Sequence, residues 1–331
     1  MSLWDKEPVL VKPMLAFPSK PFDSKDFLME IKYDGTRCIA YIDTQARRVM
    51  FLNRRMIFFQ ARYPEFADFY KQVDAKRAIL DGELVVFHNG RPDFNLLQER
   101  EQSGEQTKIE ILSKLHPATY VVFDILHKDG EDLLDKKLLE RKEILDKTLT
   151  ESNYAIKSSF IFEKGIELFN KVKGQGLEGI MAKRIDSPYV QKRSKDWLKI
   201  KALNTIDAVI IGFTSSEQEK LSALLLGLYS GGQLVYIGRV GTGFSEEERE
   251  ALFNELSKDK LKKPIVEVGE AEPGKTITYT SPRLVAEVRF MEMTKERMLR
   301  APAFIRLRND KKPEDCTMES EIEIGSGGGA Q

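Results

Sequence analysis

Cysteine is almost absent from this 331-residue chain: Cys38 and Cys316 are the only two, far apart in sequence. Two thiols exclude a disulfide framework and a four-cysteine zinc site, so a reducing cytoplasm is the default compartment. Histidine is nearly as scarce. His88, His116 and His127 leave little room for a histidine-rich metal centre and read as surface or loop residues. No run approaches the ~20 consecutive apolar residues that span a bilayer. The polar start Met-Ser-Leu-Trp-Asp-Lys-Glu carries no secretory pattern, so no membrane is expected. Neither sign of charge is in excess, because 52 basic side chains face 52 acidic ones. That removes global basicity as a sign of a nucleic-acid partner, but not a local basic face.

What is present is a globular composition. Hydrophobic residues make up 41% and charged residues 31%, enough for a soluble protein with a core and unlike a disordered chain. The length suits two or three domains. Strand-like runs occur at 28–31, 37–42, 79–87, 120–126, 179–182 and 197–200, several of them alternating or β-branched. Helical patterns lie between them at 64–73, 136–148 and 163–172. In the second, Leu138, Leu139, Ile144 and Leu145 can share one face, with charges on the other.

The character changes near Asn204. Runs at 207–213, 222–229, 233–240 and 283–290 read as strands, and Ser230-Gly231-Gly232 as a hairpin turn. Ser245 followed by Glu248 forms a capping box that opens a helix over 246–256. Short strands with one helix suggest a small β-barrel. The last stretch, ending Gly-Ser-Gly-Gly-Gly-Ala-Gln, reads as flexible.

The strongest local feature is Glu30-Ile31-Lys32-Tyr33-Asp34-Gly35-Thr36-Arg37, a lysine in a tight turn between two apolar strands. Further segments follow in order: Leu52-Asn53-Arg54-Arg55, Asp81-Gly82-Glu83, Phe123-Asp124, Glu178-Gly179-Ile180-Met181-Ala182-Lys183, Trp197-Leu198-Lys199-Ile200-Lys201, and Leu299-Arg300-Ala301-Pro302 through Arg308-Asn309-Asp310-Lys311. The series resembles the motifs of ATP-dependent DNA ligases in the covalent nucleotidyltransferase superfamily, over nearly the whole chain. Where that family has Ser-Arg-Asn-Gly, this chain has Asn53-Arg54-Arg55-Met56, so only Arg54 carries over. The spacers Phe94–Arg100, Gly176–Gly179, Asp186–Tyr189 and Gly238–Phe244 are similar to prokaryotic end-joining ligases, of the stand-alone ligase C type and the ligase module of ligase D.

The resemblance implies an α+β fold: a nucleotidyltransferase (ATP-grasp-like ligase core, antiparallel sheets with helices) followed by an OB-fold β-barrel. The expected domains are 1–203 for adenylation, 204–316 for the OB-fold, and 317–331 as a flexible acidic, Gly-rich tail. It implies Lys32 as nucleophile. A lysine is protonated at neutral pH, with an ordinary pKa of about 10.4, and needs a nearby cation or burial to free its lone pair. Lys32 then attacks the α-phosphate of ATP to give a lysyl-AMP.

Arg37, Arg54, Lys199 and Lys201 are the implied phosphate contacts, because fixed cations offset charge as it redistributes over phosphoryl oxygens. Strand alternation puts Trp197, Lys199 and Lys201 on one face. Glu83 is implied at the ribose or metal and Glu178 at the metal, with Asp81 a further metal candidate for Mg²⁺, or Mn²⁺ in its place. Asp34 is implied to assist these carboxylates, and Asp34 and Gly35 are implied among the nucleotide-binding residues. Phe123 is implied to stack on adenine, Glu30 and Ile31 to flank the base, and Lys183 to approach the ligand. Arg300 and Arg308, with Arg306, Asp310 and Lys311, sit on a domain implied to close over ATP and then swing away.

The partners implied are nicked or broken double-stranded DNA, with Ku and an end-joining polymerase in non-homologous end joining. A nucleoid-associated, two-domain monomer is expected. AMP would pass from Lys32 to a DNA 5′-phosphate, and a 3′-hydroxyl would then displace it. An RNA ligase or an mRNA-capping-type guanylyltransferase shares the first motif and is the alternative. A catalytically dead nucleic-acid scaffold is a rival of another class, and the intact set Lys32, Glu83, Glu178, Lys199 and Lys201 speaks against it. Local charge supports a polyanionic partner: residues 178–201 carry a net +4 and residues 295–312 a net +5, which residues 313–331 oppose with −5. The neutral total is a cancellation.

Overall fold

The computed structural model describes residues 7–322 apart from 270, 272 and 295. The chain divides into two compact units, Met1–Ala202 and Leu203–Gln331.

The first unit is built on two sheets. One has five strands in the spatial order Leu15–Pro18, Arg193–Lys201, Gly179–Arg184, Ser24–Lys32, Phe160–Glu163. The other runs Arg48–Asn53, Thr36–Asp43, Arg77–His88, Ala118–Lys128 and Glu131–Asp132, with two short strands attached. Alternation assigns the faces. In strand Thr36–Asp43, Cys38, Ala40 and Ile42 join a large cluster with Phe51, Phe66, Phe69, Leu97 and Leu145. The intervening Ile39 and Tyr41 join another with Trp197, Tyr189 and Met14, which brings the two sheets together. The far side of the five-stranded sheet packs Met29, Ile180, Ala182 and Ile200 against Val172 of helix Gly165–Gly174.

Three sequence readings in this unit need correction. Residues 64–73 form two short 3₁₀ turns, Pro64–Phe66 and Phe69–Gln72, not one α-helix. The apolar spacing explains it: Tyr63, Phe66 and Phe69 recur every third residue and are all buried, and a 3₁₀ helix superposes such positions. Helix Leu138–Thr148 keeps Glu140, Glu143, Asp146 and Lys147 on its exposed face, but Arg141 and Lys142 depart from that face and are buried with Leu138 and Leu145. His127 is no surface residue either; it is fully buried, with Nδ1 2.8 Å from Asp132.

The second unit holds a curved seven-stranded antiparallel sheet. Its long strand Thr205–Ser215 pairs along one edge with Ala223–Ser230 and along the other with Val285–Arg289 and Thr276–Thr280 in turn. The ladders among the described residues form a half-barrel and close no ring. The hairpin turn is there: Ser230 pairs with Gln233, and Gly231 and Gly232 have φ of 57° and 82°, as a two-residue turn with left-handed backbone requires. Helix Glu246–Leu256 starts at the Ser245–Glu248 capping box.

Residues 317–322, read as the start of a flexible tail, are instead ordered. Thr317 caps the helical turn Met318–Glu321, and Cys316 and Met318 join the core of this unit. Residues 323–331, the remainder of that expected tail, lie outside the described residues.

Candidate active site

Strand register assembles the site in the first unit. Lys32 faces Gly179, which faces Lys201; Glu30 faces Met181, which faces Lys199; Leu28 faces Lys183, which faces Trp197. Because the side-chain period is two, these rows share one face of the five-stranded sheet. Lys32, Glu30, Lys183, Lys199 and Lys201 therefore converge, as alternation along 197–201 leads one to expect. Gly179 lets the strands close up: a Cβ there would lie 2.1 Å from the Ile200 carbonyl oxygen, and its φ is +151°. The same alternation corrects one assignment. Ile31 faces Ile180 on the opposite side of the sheet and packs into the apolar cluster there, so its side chain does not flank a base.

Lys32 ends its strand with Nζ 2.6 Å from Oε1 of Glu178, both side chains partly exposed. Its ion-pair partner is a carboxylate; the two conditions expected from sequence, a nearby cation or partial burial, are met by Lys199 and Lys201 on the same face and by the partly buried side chain. Beyond it the chain turns at Asp34-Gly35 into strand Thr36–Asp43. A Cβ at Gly35 would lie 2.2 Å from the Leu84 carbonyl oxygen and 2.9 Å from Glu83 Cγ, so only glycine lets the turn settle beside Glu83.

Arg37 is the next anchor. Its Nε and one terminal nitrogen each lie 2.6 Å from the two oxygens of Asp81, a bidentate pair, and the guanidinium also donates to the Met14 carbonyl. Burial opposes the charge on Arg37, but the adjoining Asp81 outweighs it and raises the guanidinium pKa. Asp81 is itself fully buried and takes a third hydrogen bond, 2.7 Å, from the Tyr189 hydroxyl. A carboxylate committed in this way does not fit a metal ligand, and Asp81 is corrected to a support for Arg37. Glu83 is the register partner of Arg37, so it stands in the same row.

Glu30 is 2% exposed, and each of its oxygens is taken by an ammonium: Oε1 by Lys142 and Oε2 by Lys183 at 2.7 Å. Burial pushes this carboxyl up, but Lys142 and Lys183 together overcome that and hold it below the ordinary value. Lys183 is squeezed the other way: burial, opposed by Glu30, lowers it to about 8. Its Nζ lies 3.9 Å from the ring centroid of Phe123 and 4.2 Å from that of Trp197. Phe123 is partly buried, also carries the Arg37 guanidinium at 4.7 Å, and meets Trp197 edge-on. Its neighbour Asp124 is bound bidentately by Arg141 in the core.

Arg54 follows strand Arg48–Asn53 and is half-buried. The departure at Asn53 has a structural use. Its Oδ1 accepts from the backbone of Arg55 and Ile57 and fixes the turn, where Met56 has φ +64°. Arg300 and Arg308 belong to the second unit. Arg300 is exposed and paired with Glu292. Arg308 is bonded to Asp207 and Asp310, and Lys311 to Asp207 and Glu321.

Among the described residues no three His, Cys, Asp or Glu side chains could hold a metal ion together. Glu83 and Glu178 remain, and that donor set fits Mg²⁺ held by one or two carboxylates with substrate phosphate and water, not an all-protein cage. Two residues of the site were missed from sequence. Tyr189 lies within Asp186–Tyr189, which reads from sequence only as a spacer. Lys142 reads by residue type as a solvent-face lysine, although its spacing from Leu138 and Leu145 aligns it with them.

The ATP-dependent DNA ligase domain family matches residues 8–201, and the family of ATP-dependent DNA ligase C-terminal regions matches residues 217–311. The chain belongs to the ATP-dependent DNA ligase family. It is 31% identical over 321 residues to the multifunctional non-homologous end joining protein LigD of Pseudomonas aeruginosa, covering 94% of this chain and 37% of that protein. A DNA ligase of Thermococcus fumicolans is 32% identical, covering 95% of this chain and 58% of that protein. The chain thus spans under two fifths of the LigD relative. Among solved structures, mycobacterial DNA ligase D complexed with ATP is similar with a TM-score of 0.62 and 29% identity, covering 93% of this chain and 98% of that one. This ligase family uses ATP with Mg²⁺. No helix among the described residues is long and apolar enough to cross a membrane.

Proposed function

We propose that this chain seals breaks carrying a 3′-hydroxyl and a 5′-phosphate in duplex DNA, at the expense of ATP. The observation that carries the reading is the convergence on one sheet face of Lys32, Glu178, Lys199 and Lys201, with Arg37 fixed by Asp81 beside Glu83. Glu178 holds the Lys32 amine. After passing a proton to Glu178 or to water, Nζ attacks the α-phosphorus of ATP; the N–P bond forms, the bond to pyrophosphate breaks and pyrophosphate leaves. Lys199, Lys201, Arg54 and Arg37 offset charge on the phosphoryl oxygens without rearrangement. Mg²⁺ at Glu178 or Glu83 supplies further charge neutralisation when bound. Glu30, Lys183 and Phe123 receive the adenine, and Asp34 and Gly35 shape the turn.

In the two later steps AMP passes to the DNA 5′-phosphate, and the 3′-hydroxyl displaces it. The second unit, with Arg300 and Arg308, takes the role of an OB-fold that closes over ATP. The domain division 1–203 and 204–316, a monomeric state, nucleoid association, and Ku with an end-joining polymerase as partners belong to the same reading. Similarity to LigD proteins supports the end-joining context.

The test is sealing of a nicked DNA duplex and of double-strand ends, with ATP and Mg²⁺, with and without Ku. Nick sealing is expected, as is stimulation of end joining by Ku. Sealing of RNA alone would favour the RNA-ligase alternative, and labelling by GTP alone would favour a guanylyltransferase.

A further inference from the structure

We propose that Lys142 is a positioning residue that fixes the Glu30 carboxylate for recognition of the nucleotide base, placing part of the choice of adenine on a helix outside the ligase motifs. The inference rests on the ligase reading above.

Glu30 shares the face of Lys32 yet is 2% exposed. A carboxyl buried alone would shed its charge. As a neutral acid it could both donate and accept, and it would tolerate a 6-oxo purine as readily as a 6-amino one. Ionised, it is acceptor-only. It then selects an exocyclic amine and repels a carbonyl oxygen. Base selectivity therefore depends on whatever keeps Glu30 charged and in one orientation.

Two ammonium groups do this from different elements. Lys183 holds Oε2 at 2.7 Å from the neighbouring strand. Lys142 holds Oε1 from helix Leu138–Thr148, which is 112 residues away in sequence. Lys142 is confined in turn, because its Nζ lies 5.3 Å from the centroid of Phe160, the register partner of Glu30 on the outer side. Lys183 is also shared with the Phe123 and Trp197 rings. Among the described residues Lys142 meets one ring, that of Phe160, and pairs with the Glu30 carboxylate. A cavity of about 630 Å³ lined by Lys142, Leu139, Leu145, Ser158 and Phe160 reaches the same ammonium. It gives a small amine a route to Glu30 if the lysine side chain is removed.

The experiment measures lysyl-AMP formation on the full chain with ATP and with ITP, for the parent, K142M, K142R and K142A. In K142M the maximal rate is expected to stay within about threefold of the parent, while KM for ATP rises about 10- to 100-fold, the scale of a lost charge-assisted hydrogen bond. The preference for ATP over ITP should fall by a similar factor. K142R should restore both, and ethylammonium should lower the ATP KM of K142A in a dose-dependent way. A merely structural lysine would alter the amount of folded protein and leave base preference alone. Should K142M not fold, K142Q gives the same decision by its KM and its ATP preference. Unchanged KM and unchanged preference in a folded, labelled variant overturn the Lys142 assignment by itself. A parent chain that takes no label from ATP overturns this inference and the ligase reading together.

Discussion

Lys32 Nζ and Glu178 Oε1 lie 2.6 Å apart beside Gly179, the register partner of Lys32 and the residue whose missing Cβ lets strand Arg193–Lys201 close in from the other side. Both ends of the pair keep contact with solvent, so neither charge is sealed away when its partner is removed, unlike the fully buried Asp81. Its use is therefore chemical. E178A is expected to keep a midpoint of thermal unfolding within a few degrees of the parent and to lower lysyl-AMP formation by about 100-fold or more, the scale of losing one fixed polar group at a reacting centre. Calorimetry and an ATP-labelling assay on the same preparation separate the two.

The Arg37–Asp81–Tyr189 group is expected to behave in the opposite way. Its members are largely buried, and removing one partner of such a pair leaves the other charge unpaired, at a cost of about 3–5 kcal/mol. D81N should lose stability on that scale in urea unfolding, and Y189F should lose less. The Mg²⁺ concentration needed for half-maximal adenylation should not change in folded D81N. A large increase in that requirement would restore Asp81 as a metal ligand.

Gly35 tests the turn. The atom that a new Cβ would meet is the Leu84 backbone carbonyl, 2.2 Å away, which cannot move without shifting strand Arg77–His88. G35A is expected to cost about 1–3 kcal/mol, as overpacking does, and to slow adenylation through displacement of Lys32. Parent-like unfolding and labelling would contradict the close approach.

Glu30 sets a pH dependence. Its folded pKa lies below the ordinary carboxyl value, because Lys142 and Lys183 overcome the penalty of burial. The unfolded chain therefore binds the proton more readily. The stabilisation is fully present above about pH 4.5 and is lost as pH falls through that value towards the folded pKa. Lys183 also makes stability rise with pH, but its contribution is a cost: burial lowers it to about 8, so the cost is present below that pH and is relieved as pH rises towards 10.5. Thermal melts from pH 6 down to pH 3 should show a shallower loss in E30Q than in the parent.

Much of this was legible in the sequence because it depends on local periodicity. Alternation along 197–201 puts Trp197, Lys199 and Lys201 on one face, and the register agrees. The Ser230–Gln233 hairpin and the Ser245 cap follow from turn and cap chemistry. Ile31 is adjacent to Lys32 in sequence, yet the same alternation sends it to the other face. Lys142 stayed hidden because residue type outweighed position: a lysine four residues from Leu138 and three from Leu145 lies on the buried stripe. The commitment of Asp81 to Arg37 and Tyr189 had no local signal. It joins residues 44 and 108 positions apart, a relationship made only by the fold.

The most direct test of the account is transfer of label from α-³²P-ATP to the chain in Mg²⁺, for the parent and for K32A. The parent should carry a covalent AMP that is released to nicked DNA with sealing of the strand, and K32A should carry no label. Undiminished label on K32A, or label from GTP but not ATP, would contradict it.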